Sequence, residues 1–282
     1  VLPLLNRPPT VTLTWDAATK TLTADASDPD GDPLTYTFEV ISGNIALSGT
    51  GNTRTVTPLG PGNINFEVKV TVSDGKGGVA EDSVTGTVSA AVPANSLTMW
   101  PDKTTASVGE TITLGFYAGA LANPFKYLTK VHVQFTNNLE YVSGSVDAGE
   151  IDADATKKRE IDGIWSSLTN VGQLIPGDDS LFGPFPVDYT VDGETFTNRS
   201  FLEIGLSPAK KVPTDPDPGP APAGTEGWLF NMQFTGASAG TAEIRIIVQK
   251  DGSTNPSTYY GTTSTDYFLF DLPEDRLTIT IQ

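Results

Sequence analysis

Three aspartates lie close together in a stretch rich in turn-forming residues. The stretch runs Ser27-Asp28-Pro29-Asp30-Gly31-Asp32-Pro33, and carboxylate oxygens at alternate positions can converge on one hard cation. Gly31 permits a tight reversal of the chain, and the residues that follow alternate as a strand does. The spacing predicts a metal-holding turn ahead of a strand. An ordinary hydrophilic turn is the alternative, because Asp, Pro and Gly are also common turn residues.

Other residue types that perform chemistry are scarce. The chain has no cysteine and one histidine, which excludes thiolate metal sites and a disulfide framework. His132 alternates with Val131 and Val133, as a solvent-facing strand residue does, so a nucleophilic triad is poorly supported. Hydrolysis by a carboxylate pair is left open, since the separation of acidic side chains in space is not visible in a sequence. We expect a protein that is not an enzyme.

Composition indicates the class of fold and of partner. The 282 residues include 34 acidic and 17 basic side chains, and the net charge of -17 disfavours nucleic acid and anionic membrane surfaces. Thr, Val, Gly and Pro are abundant and apolar residues recur with period two, which predicts an all-β fold. No apolar run approaches the roughly 20 residues of a membrane-spanning helix. The chain begins at Val1, and we expect a processed, soluble, extracellular or cell-surface protein without membrane insertion.

A short segment without periodicity separates two regions of strand-like alternation. Residues 89–96 are mostly small, which is typical of a linker between domains. We therefore predict two β-sandwich domains in tandem, 1–90 and 97–282. The second is predicted to carry a long insertion at about residues 145–226, which contains acidic patches and a proline-rich run.

Four motifs occur in order near the amino terminus: Asn6-Arg-Pro-Pro, Asp28-Pro-Asp-Gly, Leu34-Thr-Tyr and Val72-Ser-Asp-Gly-Lys-Gly-Gly. In this order they resemble PKD-type and cadherin-like bacterial immunoglobulin-fold domains. The aromatic-Asp-Phe-Gly-Asp signature of typical PKD domains is absent after Tyr36, so a cadherin-like relative is an equal alternative. The resemblance implies a β-sandwich that binds calcium through four side chains, Asn6, Asp28, Asp30 and Asp74. Asp32, in the same turn, is added as a fifth candidate ligand, and magnesium is disfavoured by its stricter octahedral geometry.

Four further motifs occur in the second region: Val108-Gly-Glu-Thr, Leu139-Glu-Tyr-Val-Ser-Gly, Gly227–Phe234 and Gly240–Ile246. They resemble the strands of cohesin-like domains, which are jelly-roll sandwiches related to some carbohydrate-binding modules. The first motif is one spacer residue shorter than in that family. The motifs are mostly packing and turn positions, so the resemblance implies a fold and says little about the partner.

Aromatic residues in the irregular middle are candidates for a binding surface, namely Trp165, Phe182, Phe185 and Tyr189. Such rings can stack on sugars, or they can anchor long loops to the sandwich.

Three functions fit the sequence. The leading one is an adhesion or scaffold protein, with a calcium-stabilised spacer and a recognition domain that binds a protein partner or a second copy. The second is a subunit of an extracellular filament or surface layer. The third is a carbohydrate-binding component of a secreted polysaccharide-degrading system.

Overall fold

The computed structural model places two compact units along the chain, residues 1–91 and 92–282. Every regular element among the described residues is a β-strand, which confirms the all-β class. None of the described segments forms a helix with the length and apolarity needed to cross a bilayer. The described residues are 5–125, 128–147, 173–176, 180–182, 189–191, 194–196, 199–209, 219–247 and 276–282.

Seven antiparallel strands build the first unit. They are β1 (Thr10–Asp16), β2 (Thr21–Ser27), β3 (Thr35–Ser42), β4 (Ile45–Ser48), β5 (Thr53–Pro58), β6 (Gly62–Ser73) and β7 (Val79–Ala90). Two sheets result, with the strand orders β1-β2-β5-β4 and β3-β6-β7. A sandwich with a four-stranded and a three-stranded sheet is therefore the frame of the first unit.

The core of the first unit follows from strict alternation along β6. Phe66, Val68, Val70 and Val72 are fully buried, whereas the residues between them are partly exposed. Burial of each of these side chains stabilises the fold by about 1.5–3 kcal/mol. Trp15 packs edge-on against Phe66 with ring centroids 4.9 Å apart. These side chains belong to one buried apolar cluster in the first unit.

The described residues of the second unit form thirteen strands. They are β8 (Leu97–Pro101), β9 (Thr105–Ala106), β10 (Thr111–Ala118), β11 (Leu128–Thr136), β12 (Leu139–Tyr141), β13 (Gln173–Pro176), β14 (Ser180–Phe182), β15 (Tyr189–Val191), β16 (Glu194–Phe196), β17 (Arg199–Ala209), β18 (Gly227–Gly236), β19 (Gly240–Ile247) and β20 (Arg276–Ile281). One sheet has the order β12-β18-β10-β8, and the other has the order β13-β17-β11-β19-β20-β9 with β14 also beside β17. The pair β15-β16 forms a separate hairpin.

Aromatic rings pack both within and between the two large sheets of the second unit. Phe116 on β10 stacks on Phe230 of β18 at a centroid distance of 4.3 Å. Phe135 on β11 meets Phe234 of β18 edge-on at 5.0 Å. All four rings are buried, so this unit has a core of its own between its sheets.

The predicted insertion at 145–226 contains a strand that belongs to the sandwich. β17 pairs with β11 over most of its length, and its Leu202 and Ile204 are buried in the core. The apolar alternation of Phe201-Leu-Glu-Ile-Gly-Leu206 is the sequence signal for this strand. A strand paired within the sandwich therefore lies inside the range predicted as an insertion.

Residues 89–96, predicted as a linker, are largely part of the two units. β7 continues to Ala90, which pairs with Gly62. The Asn95 amide donates to the Ala120 carbonyl at 2.8 Å, and the Asn95 side-chain oxygen accepts from the Ala122 amide at 3.1 Å. Most of these hydrogen bonds are made by backbone groups. The sequence pattern of this segment, which consists mostly of small residues, therefore does not reveal them.

Candidate metal centre

Three loops of the first unit meet through their side chains. Asn6 and Arg7 precede β1, Asp28–Pro33 connects β2 to β3, and Asp74–Gly78 connects β6 to β7. Hydrogen bonds join Arg7 to Asp30, Lys76 to Asp32 and Asn6 to Asp74. The sandwich topology thus brings together residues that are 23 to 68 positions apart in the chain.

Asp28 organises the loop between β2 and β3. Its Oδ1 accepts the backbone amides of Asp30 at 2.8 Å and of Asp32 at 3.1 Å, and its carbonyl accepts the Gly31 amide at 3.2 Å. Gly31 has a φ of 76°, a left-handed conformation that glycine adopts without steric cost. One carboxylate oxygen therefore fixes the turn and leaves the other oxygen for a different partner.

The carboxylates of Asp28, Asp30 and Asp32 form a group that could hold a metal ion. One oxygen from each residue lies within 4.8 Å of the other two. Calcium–oxygen bonds are about 2.3–2.6 Å long, so two oxygens on opposite sides of one ion are separated by about twice that length, which is close to 4.8 Å. The spacing of the group fits a shared calcium ion.

Two oxygens of this group are buried and have no hydrogen-bond partner, Asp28 Oδ2 and Asp32 Oδ2. A buried polar atom without a partner costs about 1–3 kcal/mol, and a charged one costs more. The side chain of Asp32 is only 10% exposed. A cation bound to both oxygens would remove this cost.

Arg7 neutralises Asp30. Its Nε and Nη2 donate to Asp30 Oδ1 at 3.0 and 2.8 Å, and its backbone amide donates to Asp30 Oδ2 at 2.8 Å. These bonds to the Arg7 side chain and amide lower the pKa of Asp30. Both oxygens of Asp30 are therefore engaged, which makes it the weakest metal ligand of the three.

Lys76 is the cation closest to Asp32. Its Nζ donates to Asp32 Oδ1 at 2.6 Å, and this hydrogen bond raises the pKa of Lys76. The Lys76 side chain is 61% exposed, so the ion pair is screened by solvent and contributes little stability. Lys76 occupies one oxygen of Asp32 and leaves Oδ2 free.

Asp74 uses both of its carboxylate oxygens in hydrogen bonds within the protein. It is buried, its Oδ1 accepts the amides of Lys76 at 2.7 Å and Gly78 at 2.9 Å, and its Oδ2 accepts from Asn6 Nδ2 at 2.8 Å. The Asn6 hydrogen bond, followed by that of the Lys76 amide, lowers the pKa of Asp74. Asp74 is not a member of the three-carboxylate group. The hydrogen bond between Asn6 and Asp74 joins the segment before β1 to the β6–β7 turn, and the role of these two residues as calcium ligands stays a prediction.

The structure therefore brings together Asp28, Asp30 and Asp32, and it pairs Asn6 with Asp74 beside them. Asp32 was the least certain ligand in the sequence, yet it carries one of the two unpartnered oxygens. Arg7 and Lys76 were missed. The sequence signal for Arg7 and Lys76 was that they lie beside the predicted ligands Asn6 and Asp74. A basic side chain next to an acidic site competes with a metal for the carboxylates.

The predicted aromatic binding surface falls mostly outside the described part of the chain. Trp165 and Phe185 lie outside the described residues. Phe182 is the last residue of β14, opposite Phe201, and Tyr189 opens β15, opposite Phe196. For these two residues the backbone alone is described, so their role in binding stays a prediction.

Residues 3–87 match a family model described as a bacterial Ig domain. This match confirms the predicted bacterial immunoglobulin-type character of the first unit. It covers less than half of the chain and therefore describes that segment alone. No curated protein matches the chain.

Solved structures similar to the chain include cohesins and an adhesin. A type II cohesin domain from the cellulosome of Acetivibrio cellulolyticus is 14% identical, with a TM-score of 0.37 over 66% of this chain and 95% of that one. The type II cohesin dyad from the ScaA scaffoldin of the same organism is 11% identical, with a TM-score of 0.32 over 87% and 89%. The collagen adhesin from S. aureus is 10% identical, with a TM-score of 0.26 over 98% and 92%. Cohesins are the family that the second region resembles in sequence, and at these scores the likeness assigns no partner.

Proposed function

We propose that the chain is a non-enzymatic cell-surface scaffold protein in which a calcium-stabilised Ig-type domain carries a second, recognition domain. The proposal rests on the pair of buried, unpartnered oxygens at Asp28 Oδ2 and Asp32 Oδ2. A loop that buries two unpartnered carboxylate oxygens, in residues whose carboxylates lie within 4.8 Å of one another, is suited to a hard cation. The bacterial Ig match of residues 3–87 supports the spacer assignment.

Calcium would act here by stabilising the β2–β3 loop. Asp28 and Asp32 supply the ligands that have no other partner, and Asp30 is the third carboxylate within 4.8 Å. Calcium takes about six to eight oxygen ligands, so backbone carbonyls and water would complete its shell. The ion would order the β2–β3 loop, which Arg7 and Lys76 join to the loops before β1 and after β6.

The test is thermal unfolding of the full chain in millimolar calcium, millimolar magnesium and a chelator. A ligand that binds only the folded state raises stability by about 2.7 kcal/mol at 100 times its Kd. We expect calcium, and not magnesium, to raise the melting temperature of the first unit. Hydrogen exchange of peptides from residues 5–35 should slow at the same time and so locate the effect.

Matched variants decide whether the three aspartates, Asp28, Asp30 and Asp32, are responsible for the calcium-induced rise in melting temperature. Asp32→Asn keeps the shape of the side chain and removes its charge, and it should abolish most of the calcium shift. Asp25→Asn removes the same charge from an exposed position on β2 and should leave the shift unchanged. Equal melting curves with calcium and with chelator would sink the proposal.

Lys76→Met gives a result of opposite sign. It frees Asp32 Oδ1, which now accepts from Lys76 Nζ at 2.6 Å, and it removes a positive charge next to the ion. Calcium should then bind more tightly than in the parent chain, since like charges repel. Weaker calcium binding in Lys76→Met would contradict the placement of the ion beside Asp32.

A further inference from the structure

A β-bulge on β18 turns a tryptophan out of the core of the second unit. Phe230, Met232 and Phe234 are buried at alternate positions, and Trp228 would continue that inward series. The register between β10 and β18 shifts, however, from Phe116↔Phe230 to Tyr117↔Trp228, so that Leu229 is an extra residue. Leu229 takes the buried position, and Trp228 is 37% exposed on the outer face of the sheet. Bulges re-aim side chains in this way and are common near functional sites.

A glycine in the neighbouring strand makes room for the Trp228 ring. A Cβ at Gly115 would lie 2.4 Å from Cζ3 and 3.0 Å from Cε3 of Trp228, so the six-membered ring lies directly over this glycine. Glycine weakens a strand interior and marks a close approach of another group. Tyr117 supports the ring edge-on, with centroids 5.4 Å apart at 90°. The ring is thus held in one orientation on the sheet surface.

A second tryptophan, Trp100, lies on the neighbouring strand β8 and is nearly buried. Trp100 on β8 is opposite Gly115 in the register and is 8% exposed. Its indole Nε1 donates to Thr98 Oγ1 at 3.0 Å. The indole N–H is thereby satisfied within the protein, and Trp100 lies across β10 from the more exposed Trp228.

The side chains that follow Trp228 on β10 and β18 are short and uncharged, and two exposed acidic residues border them. Asp147 forms a backbone bridge with Asn231, and Glu226 directly precedes β18. The cross-strand rows that follow Trp228 along the outer face contain Asn231, which is exposed, and Thr113 with Gln233, which are partly exposed. Rows are about 6.8 Å apart, twice the rise per residue, and neighbouring strands are about 4.8 Å apart. The outer face therefore offers one ring and then a grid of amide and hydroxyl groups.

A single exposed tryptophan is ordinary on protein surfaces. Here two costs accompany it, a disrupted ladder at the bulge and a glycine inside a strand. Both costs would disappear if Trp228 followed the alternation into the core. Their presence indicates a surface built to display the ring.

The chemistry of the face selects its ligand. Aromatic rings attract the partly positive C–H edges of a pyranose, and amides and hydroxyls match its hydroxyl groups. The strands β8, β10, β12 and β18 contain no Lys or Arg and one acidic residue, Glu140, and the net charge of the chain is -17. An anionic ligand would be repelled. We propose that the outer face of the β12-β18-β10-β8 sheet binds a neutral polysaccharide, with a sugar ring stacked on Trp228 and hydrogen-bonded to Asn231.

The experiment measures retention of the full chain by neutral polysaccharides. Insoluble cellulose and chitin are used in depletion assays, and soluble xylan, mixed-linkage glucan and amylopectin are used in affinity electrophoresis. We expect retention by at least one of them and none by polygalacturonate or alginate. Trp228→Ala should weaken retention about tenfold, the loss of one stacked ring with its buried area. Trp228→Tyr should restore part of it, and Asn231→Ala should weaken it severalfold.

Controls separate binding from folding and from calcium. Val108→Ala removes an apolar side chain that is 52% exposed in the same unit and should leave retention unchanged. Melting curves of each variant identify any loss of fold. Chelator should not alter retention, because the aspartate group lies in the first unit, so a failure of either proposal leaves the other standing. No retention by any neutral polysaccharide, equal retention of Trp228→Ala when folded, or retention by the anionic polysaccharides alone would overturn the proposal.

Discussion

Asp28 and Asp32 each have one oxygen bonded within the protein and one buried without a partner. An ordinary turn aspartate uses its oxygens for local amides and leaves the rest to water. Dry oxygens carry a desolvation cost that water cannot repay. This division within single side chains is the observation on which our proposal of a metal ligand, and not only a hydrophilic turn, depends.

Acid should destabilise the first unit through Asp30 and Asp74. Bonds from Arg7 lower the pKa of Asp30, and bonds from Asn6 and the Lys76 amide lower the pKa of Asp74. A carboxyl whose pKa is lower in the folded state stabilises the fold above its unfolded pKa, which is about 3.9. This stability is lost as the pH falls through the lowered folded values.

We therefore expect the melting temperature of the first unit, measured in chelator, to fall as the pH drops below about 4. Asp30→Asn removes one titrating group and keeps an oxygen that accepts from Arg7, so its fall should be shallower. Asp25→Asn serves as the charge-matched control. A melting temperature that rises on acidification would contradict the assigned hydrogen bonds.

At the residue scale the sequence predicted the aspartate turn but not the two basic side chains, Arg7 and Lys76, that bind to it. Asp28, Asp30 and Asp32 are neighbours in the chain, so their clustering was visible. Arg7 and Lys76 approach them from two other loops, and such long-range approach is a property of the folded sandwich. The same reason applies to Asp74. Its position at a strand end was visible in the sequence, but its bonds to the Asn6 side chain and the Gly78 amide were not.

At the level of elements, the β6–β7 turn depends on one close approach. A Cβ at Gly78 would lie 2.0 Å from Asp74 Oδ2 and 2.9 Å from the Cα of Pro8. Real Cβ atoms do not come this near, and the buried Asp74 is held by three hydrogen bonds. The turn and the loop before β1 can therefore pack together only around a glycine.

Gly78→Ala should destabilise the first unit by about 1–3 kcal/mol, the usual cost of overpacking a dense site. Chemical denaturation monitored by the fluorescence of Trp15 in residues 1–91 measures this change, because Trp15 is the sole tryptophan there. Gly60→Ala is the matched control, since its Cβ would meet nothing closer than 3.6 Å. Equal stability of the two variants would show that the Gly78 contact relaxes freely.

Alternation predicted most strands and failed where the backbone departs from it. The motif Gly227–Phe234 lies within β18, and the motif Gly240–Ile246 lies within β19. The bulge that expels Trp228 was not predicted, because a period of two places Trp228 in the core with Phe230. β17 was assigned to an insertion because the irregular residues before it obscured its pattern. Bulges and long connections are decided by tertiary packing, which a local period does not contain.

At the scale of the whole molecule, each unit has its own buried core. The apolar cluster of the first unit includes Leu22, Phe66, Val70 and Val88 and draws only on residues before Ala91. The cluster of the second unit begins at Leu97. A domain of about 90 residues can bury enough surface to fold alone. The aspartate group lies wholly in the first unit, so its calcium response should not need the second.

A fragment of residues 1–91 should therefore fold and retain the calcium response. We expect a single cooperative unfolding transition, followed by Trp15 fluorescence, because Trp15 packs on Phe66 in the core. Millimolar calcium should raise its melting temperature by about as much as it raises that of the first unit in the full chain. Asp32→Asn in the fragment should remove the shift, and magnesium should not reproduce it. A fragment that is unfolded, or one that is folded but indifferent to calcium when the full chain responds, would show that residues beyond Ala91 complete the core or the ligand shell.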